Sequence, residues 1–297
     1  MRVARLAAAA VLSAATAACA VAPEADYVAA MAYLRANMLP SDRLQAPSLF
    51  GAGGLVDAGV NVSIANRYTL PWAGVDTVPD AVFEEYVLPY ANTNEARTSW
   101  RPLLKQALLP LVRNATFTAA SVDEVVSIVN GYDGPESLWT ALGSAPIVFK
   151  SDQTPLIYDP MSVLLYRYAS CTGVSILLVD ALRSVGVAAR LAGTPSWNGG
   201  SSISNNHNWI EVYRGVQDGW SFIEAKPAGS GETLGNPCDK WFCNPAHMAN
   251  GTQVFAAAFS RHLPSSSIRY PMAWDVRNDE VIGVDRTDYY QEACNAC

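Results

Sequence analysis

The stretch from Asp159 to Glu224 constrains this chain more than any other, because three local patterns follow one another there almost without a gap. Asp159-Pro160 is a helix start, the Asp placed to cap and the Pro to occupy the first helical position. Met161 to Tyr168 continues that helix. Ser170 is placed to cap a second helix beginning at Cys171 or Thr172. Its residues Val174, Leu177, Leu178, Ala181, Leu182 and Val185 fall on one broad apolar face, and Gly186 stops it. Val187 to Leu191 reads as a strand, and residues 194–206 as a Gly/Ser/Asn loop. Asn208 to Tyr213 alternates as a strand, Arg214 to Gly219 supplies a turn, and Trp220 to Glu224 returns.

Two reactive residues sit at the edges of this block. Cys171 opens the buried helix, where free amide groups favour an anion and lower a thiol pKa. Thr172-Gly173 is expected to let the backbone pass close to a substrate. His207, one of three histidines, opens the strand after the small-residue loop. A nucleophile at a helix start and an imidazole at a strand start meet across a helix–sheet cleft, and the base then holds the thiolate as an ion pair. A third group should orient the imidazole. Glu224, on the returning strand within register reach of His207, is chosen. Asp218 belongs to the turn and should point to solvent. Glu211 shares His207's face but lies four residues, ~13 Å, further along the strand. His247 and His262 lie in an irregular tail and are given no role.

Ser170-Cys-Thr-Gly-Val-Ser175 with the helix through Asp180-Ala-Leu-Arg183, then Gly186-Val-Ala-Ala-Arg-Leu-Ala-Gly193, His207-Asn-Trp-Ile-Glu-Val212 and Gly219-Trp220 together resemble the transglutaminase-like superfamily. The resemblance covers about residues 160–227. It implies a papain-like fold with a Cys-His-Asp triad in that chain order, so Cys171 matches the nucleophile, His207 the base and Glu224 the acid. Glu stands here where the family usually has Asp, followed by Ala-Lys-Pro. Glu84-Glu-Tyr-Val-Leu-Pro-Tyr90 and Trp100-Arg101 resemble a helical region that precedes such cores in some microbial members. No acidic loop of the kind that binds calcium in the animal enzymes is present, and no cofactor or metal is expected. The oxyanion donor is expected to be the Cys171 amide, joined by Tyr166 or Tyr168.

Around this block, residues 21–150 read as mainly helical, with helices over Asp26–Met38, Ala81–Leu88 and Arg97–Val112, the last interrupted by Pro110. Ser121-Val-Asp-Glu124 forms a capping box before Val125–Val129, with Gly131 as the stop. Residues 46–80, rich in Gly, Pro, Asn and Thr, read as loop with short extended pieces. The expected division is a signal peptide over 1–20, the helical region 21–150, the core 151–230, and an irregular Cys-containing tail over 231–297. The fold class is therefore α+β: a helical region packed on a papain-like core with a small antiparallel sheet.

The leader has Arg2 and Arg5, an apolar run Leu6–Ala18, and Ala18-Cys19-Ala20 as cleavage site, which points to secretion. No later segment is long and apolar enough to span a membrane. The sequons at Asn61, Asn114 and Asn250 point to glycosylation in a eukaryotic source. A net charge of −7 without any basic stretch argues against nucleic acid as a partner. Cleavage leaves five cysteines, so one thiol stays free. Cys171 is the expected free thiol, with Cys238, Cys243, Cys294 and Cys297 paired in a crossed arrangement that ties the C-terminus to the segment after the hairpin. The expected activity is acyl transfer or hydrolysis at an amide of a protein or peptide substrate, through a thioester at Cys171. A non-catalytic transglutaminase-like binding or structural glycoprotein is the alternative.

Overall fold

A computed structural model of the chain describes residues 23–131, 136–199, 205–229, 232–248, 251–262 and 268–297. The expected leader lies outside them. The first half is helical: α1 (Glu24–Asn37), α2 (Ala46–Phe50), α3 (Asp57–Thr69), α4 (Asp80–Tyr86), α5 (Trp100–Val112), α6 (Val122–Asn130) and α7 (Leu138–Ala141). Ser121 caps α6 through its hydroxyl, which accepts from the Glu124 amide, and Gly131 ends it in the left-handed conformation. Pro110 does not interrupt α5. It lies two residues from the end, where one lost backbone bond costs little of the helix.

Residues 46–80 are not loop. They hold α2 and α3, and the reason α3 escapes a periodicity search is visible in its buried stripe. Gly59, Val60, Ser63, Ile64 and Asn66 face inward, and three of these five are small or polar. Gly59 packs against the Arg101 side chain. The Ser63 hydroxyl bonds back to Gly59 O (3.0 Å), and Asn66 Nδ2 donates to Ser184 O across the core (2.9 Å).

The second half begins with β1 (Val148–Phe149), α8 (Pro160–Tyr166) and β2 (Tyr168–Ala169), with β1 and β2 paired in parallel. The Asp159 carboxylate caps α8 at the Ser162 amide. This helix stops at Tyr166 and does not reach Tyr168. Arg167 turns left-handed at φ 63° while its guanidinium bonds the carbonyls of Trp139, Leu142 and Ala145. Then come α9 (Cys171–Ser184), β3 (Ala189–Thr194), β4 (His207–Tyr213), β5 (Trp220–Ile223), α10 (Pro245–Met248), β6 (Phe255–Ala258), β7 (Ile268–Arg269), β8 (Ile282–Asp285) and α11 (Thr287–Asn295).

One six-stranded sheet of order β5-β4-β3-β6-β8-β7 is antiparallel throughout. The tail is therefore not an irregular wrap, because it supplies β6, β7 and β8. Phe255-Ala-Ala-Ala258 is buried on both faces, so it shows none of the apolar–polar alternation that marks a half-exposed strand. The whole is an α+β fold.

α9 lies on one sheet face. Its Val174, Leu177, Leu178, Val179, Ala181 and Leu182 join Leu104 and Leu108 of α5, Val125 and Val129 of α6, and Ile210, Val212 and Ile223 of the hairpin in one core cluster. The helical region and the hairpin thus share a core through α9. The opposite face carries Ala192, Trp209, Phe222 and Ala256 under Phe242, Cys243, Tyr290 and Cys294 of the tail. Cys238 pairs with Cys297 and Cys243 with Cys294, the crossed arrangement, and Cys171 is free. The sequon residues Asn61 and Asn114 are exposed, and Asn250 falls outside the described residues. Among the described residues no helix is long and apolar enough to cross a membrane.

Candidate active site

The start of α9 is fixed from below by its own side chains. Thr172 Oγ1 donates to Asn208 Oδ1 (2.8 Å) and Ser175 Oγ to Asn208 O (3.2 Å). Asn208 Nδ2 in turn donates to the buried Tyr270 hydroxyl (2.7 Å). This clamp needs a glycine at 193, where a Cβ would stand 2.3 Å from Asn208 Nδ2 and 2.5 Å from His207 O. Gly173 also serves packing: a Cβ there would meet Ala169 Cβ at 2.6 Å and Ile157 O at 2.9 Å. Its close neighbours are thus the Ala169 side chain and the backbone at Ile157 and Tyr158. Ser170 does not cap α9 with its hydroxyl, which instead pairs with Thr154 Oγ1 at 2.6 Å.

The structure brings Cys171, His207 and Glu224 into one row. Cys171 is the first residue of α9 and is partly accessible. His207 opens β4 and Glu224 follows β5, with the hairpin register pairing Ile210 with Ile223. His207 Nε2 lies 2.6 Å from Glu224 Oε1, with the two side chains 8% and 0% exposed. The imidazole also hydrogen-bonds Cys171, which leaves Nδ1 as the nitrogen on the sulfur side.

The charges settle as this geometry dictates. Burial raises the Cys171 thiol, but hydrogen bonds from His207 and the Asn208 amide and the imidazolium charge outweigh it, and its pKa falls below the ordinary value. Burial disfavours imidazolium at His207, but the bonds to Cys171 and Glu224 win and raise its pKa to about 10. Both shifts favour the thiolate–imidazolium form of the pair.

The carboxylate of Glu224 is held at both oxygens. Oε1 faces His207, and Oε2 accepts from the Trp241 indole N–H at 2.6 Å. Its backbone is fixed too, the amide donating to Glu232 Oε2 (3.1 Å) and the carbonyl accepting from Asn130 Nδ2 (2.9 Å). Glu232 is itself buried, and burial together with the Glu224 charge pushes its carboxyl up to about 7.

The other sequence candidates fall elsewhere. Glu211 is fully buried and anchors a structural ion pair: Arg190, its register partner on β3, approaches to 2.6 Å and Arg286 to 2.8 Å. Burial opposes its charge, yet the two guanidinium groups hold its pKa below the usual range. Asp218 is exposed in the turn. His247 stacks against Trp197 and bonds Asn244, and His262 is exposed.

Cys171 and His207 open into a cleft of about 580 Å³ walled by Phe149, Trp241 and Trp274, with Asp152 and Thr154 on its lining. Neither Tyr166 nor Tyr168 lines it. Tyr166 is exposed and Tyr168 lies beneath the Lys150 ammonium at 4.5 Å, so the oxyanion role expected for them is not supported. Sequence reasoning missed Asn208, Trp241 and Glu232. Asn208 adjoins His207 and Trp241 sits between two cysteines, which are the only local signals either one carried.

A thiol, an imidazole and a carboxylate in a row where a buried helix meets an antiparallel sheet define a papain-like core. Residues 136–225, the segment that holds Cys171, His207 and Glu224, match the model of the transglutaminase-like superfamily. No curated protein matches the chain. Among solved structures, the periplasmic domain of TgpA from Pseudomonas aeruginosa aligns at 15% identity and a TM-score of 0.30, over 46% of this chain and 44% of that domain. A candidate cysteine protease from Cytophaga hutchinsonii aligns at 12% identity and a TM-score of 0.30, over 71% of this chain and 66% of the other. The chain thus spans less than half of the first and less than two thirds of the second.

Proposed function

We propose that this protein is a cysteine-dependent enzyme that hydrolyses or transfers the acyl group of an amide in a protein or peptide, outside the cytoplasm. The carrying observation is the row Cys171–His207–Glu224 opening into the cleft, with the thiol lowered and the imidazole raised. The Cys171 thiolate attacks the amide carbonyl carbon, forming the C–S bond and an oxyanion. The oxyanion is met by the Cys171 amide at the start of α9, where the helix dipole favours negative charge. His207 gives its Nδ1 proton to the departing nitrogen, the C–N bond breaks, and a thioester remains. A water or a primary amine then attacks the thioester while His207 takes its proton, and the thiolate is regenerated. Glu224 keeps Nε2 protonated, so Nδ1 is the nitrogen that accepts and gives the proton.

Hydrolysis is the favoured outcome, since water is always present and no sequence feature marks a dedicated amine site. The two disulfides support an oxidising compartment. Casein incubated with a fluorescent primary amine tests the chemistry. Ammonia or new amino termini from the wild type, and none from Cys171→Ser, are expected. Strong amine incorporation with little cleavage would make the protein a transglutaminase. The enzyme reading itself fails if Cys171 reacts with iodoacetamide only as an ordinary thiol, titrating near roughly 8.5.

A further inference from the structure

We propose that Trp241 is a positioning residue of this site, carried to it by the disulfide-tied C-terminal segment. This rests on the reading of Cys171 and His207 given above.

Trp241 lies outside the family segment, between Cys238 and Cys243, and each of these is bonded to the C-terminus. Its neighbour Phe242 is fully buried and stacks on Trp209 of β4 at 4.5 Å. Cys243 and Cys294 are buried in the same cluster. The chain at 241 is therefore pinned on both sides, and the Trp241 side chain turns outward to form a wall of the cleft. From there it does two things at once. Its N–H donates to Glu224 Oε2 (2.6 Å), and its ring packs on the His207 imidazole with centroids 4.8 Å apart.

The indole nitrogen is a donor only, so it never competes for the proton that His207 and Glu224 share. It fixes Oε2 as an acceptor, and that fixes Oε1 toward Nε2. A fully buried carboxylate held at one oxygen would be free to rotate about its last bond and would carry an unpaired charged atom. The neighbouring carboxyl makes this worse, because Glu232 Oε1 and Glu224 Oε2 both converge on Gly229. Trp241 supplies the neutral donor on that side. The charged groups that face Glu224 are His207 and Glu232, and Lys240, behind Glu232, spends its ammonium on Asp239 Oδ1 at 2.8 Å.

Trp241→Phe keeps the ring and removes the N–H. The readout is the rate of Cys171 alkylation by iodoacetamide across pH, which needs no substrate. Without the donor the Glu224 carboxylate is no longer held with Oε1 toward Nε2, the imidazolium loses its aligned counter-charge, and the thiolate is lost with it. The acid limb of the profile is expected to move upward and the rate on the acid side of neutrality to fall roughly tenfold, as for loss of one hydrogen bond to a charged group. The same comparison in a Glu232→Gln background removes the neighbouring carboxyl as a source of the shift. An unchanged profile in Trp241→Phe overturns the proposal. An ordinary thiol profile already in the wild type overturns instead the enzyme reading on which it rests. If the Phe variant fails to fold by circular dichroism, Cys238→Ser/Cys297→Ser, whose two positions are exposed, decides. An upward shift supports the tether, and a wild-type profile refutes it.

Discussion

Replacing Glu224 by Gln changes one atom's chemistry and, by the geometry of the site, moves a proton from one side of His207 to the other. The Trp241 N–H needs an acceptor, so the new amide turns its oxygen there. Its NH₂ then faces His207 Nε2, which sits 2.6 Å from the carboxyl position. That nitrogen must give up its proton to accept, and the neutral imidazole carries its proton on Nδ1, toward Cys171. The base is then in the wrong tautomer, and the imidazolium has also lost a buried counter-charge. A charge-assisted hydrogen bond of this kind contributes about 1.5–3 kcal/mol. At about 1.4 kcal/mol per tenfold, the thiolate–imidazolium population should fall by roughly 10- to 100-fold. Iodoacetamide kinetics at neutral pH read that population directly, with Cys171→Ser giving the background. The wild type should alkylate at lower pH than an ordinary thiol does, because the thiol is lowered and the imidazole holds its proton to about 10. The variant should rise only toward the ordinary thiol range. A Glu224→Gln protein that alkylates at the wild-type rate across the whole profile would refute the role given to this carboxylate.

His207→Ala should suppress Cys171 alkylation at neutral pH further than Glu224→Gln does, while circular dichroism stays unchanged; equal or milder loss would assign the base elsewhere. Glu211→Ala leaves the buried Arg190 without its carboxylate, at a cost of about 3–5 kcal/mol, so the thermal midpoint should drop by roughly 10 °C. Glu232 holds its proton to about 7, through burial and the Glu224 charge, whereas an unfolded Glu loses it near roughly 4.3. The folded state therefore binds more protons between these values, and its stability should fall as pH rises through that window and level off above 7. Glu232→Gln should flatten this slope in urea titrations at several pH values. Mass spectrometry of unreduced, alkylated protein should find label on Cys171 and linked peptides for Cys238–Cys297 and Cys243–Cys294; label on all four tail cysteines would contradict the structure.

What could be read from the sequence followed from whether the signal was local. Cys171, His207 and the apolar face of α9 each sit inside a short pattern of helix start, strand start or 3.6-residue period, and the structure brings Cys171, His207 and Glu224 to one place. Arg190 and Glu211 stood in recognisable motifs, but only the β3–β4 register shows that they are partners of each other. Ser170 had the right type and position for a cap, yet Thr154, sixteen residues earlier, takes its hydroxyl. The α3 stripe was hidden because glycine, serine and asparagine fill a face that packs against an arginine and a distant carbonyl. Strands β6 to β8 are two to four residues long and gain their identity only from pairing, which no window of sequence contains.

The same point explains how the tail is tied to the candidate site. Two carboxylates of the hairpin region, Glu211 and Glu224, are fully buried on the sheet face away from the bulk of α9. Each receives a donor from beyond residue 230: Arg286 for Glu211 and Trp241 for Glu224. The apolar side chains between them, Trp209 and Phe222, are covered by Phe242 and Tyr290, and the Trp209 indole bonds the Tyr290 hydroxyl at 2.6 Å. Both disulfides join the two ends of that cover, 59 and 51 residues apart in sequence, so neither end can leave alone. Residues 136–225 contain the proposed reacting groups, but a buried carboxylate without its donor is costly and poorly aimed. On the proposed reading, the segment that supplies those donors is therefore part of what would make His207 a base and Cys171 a nucleophile.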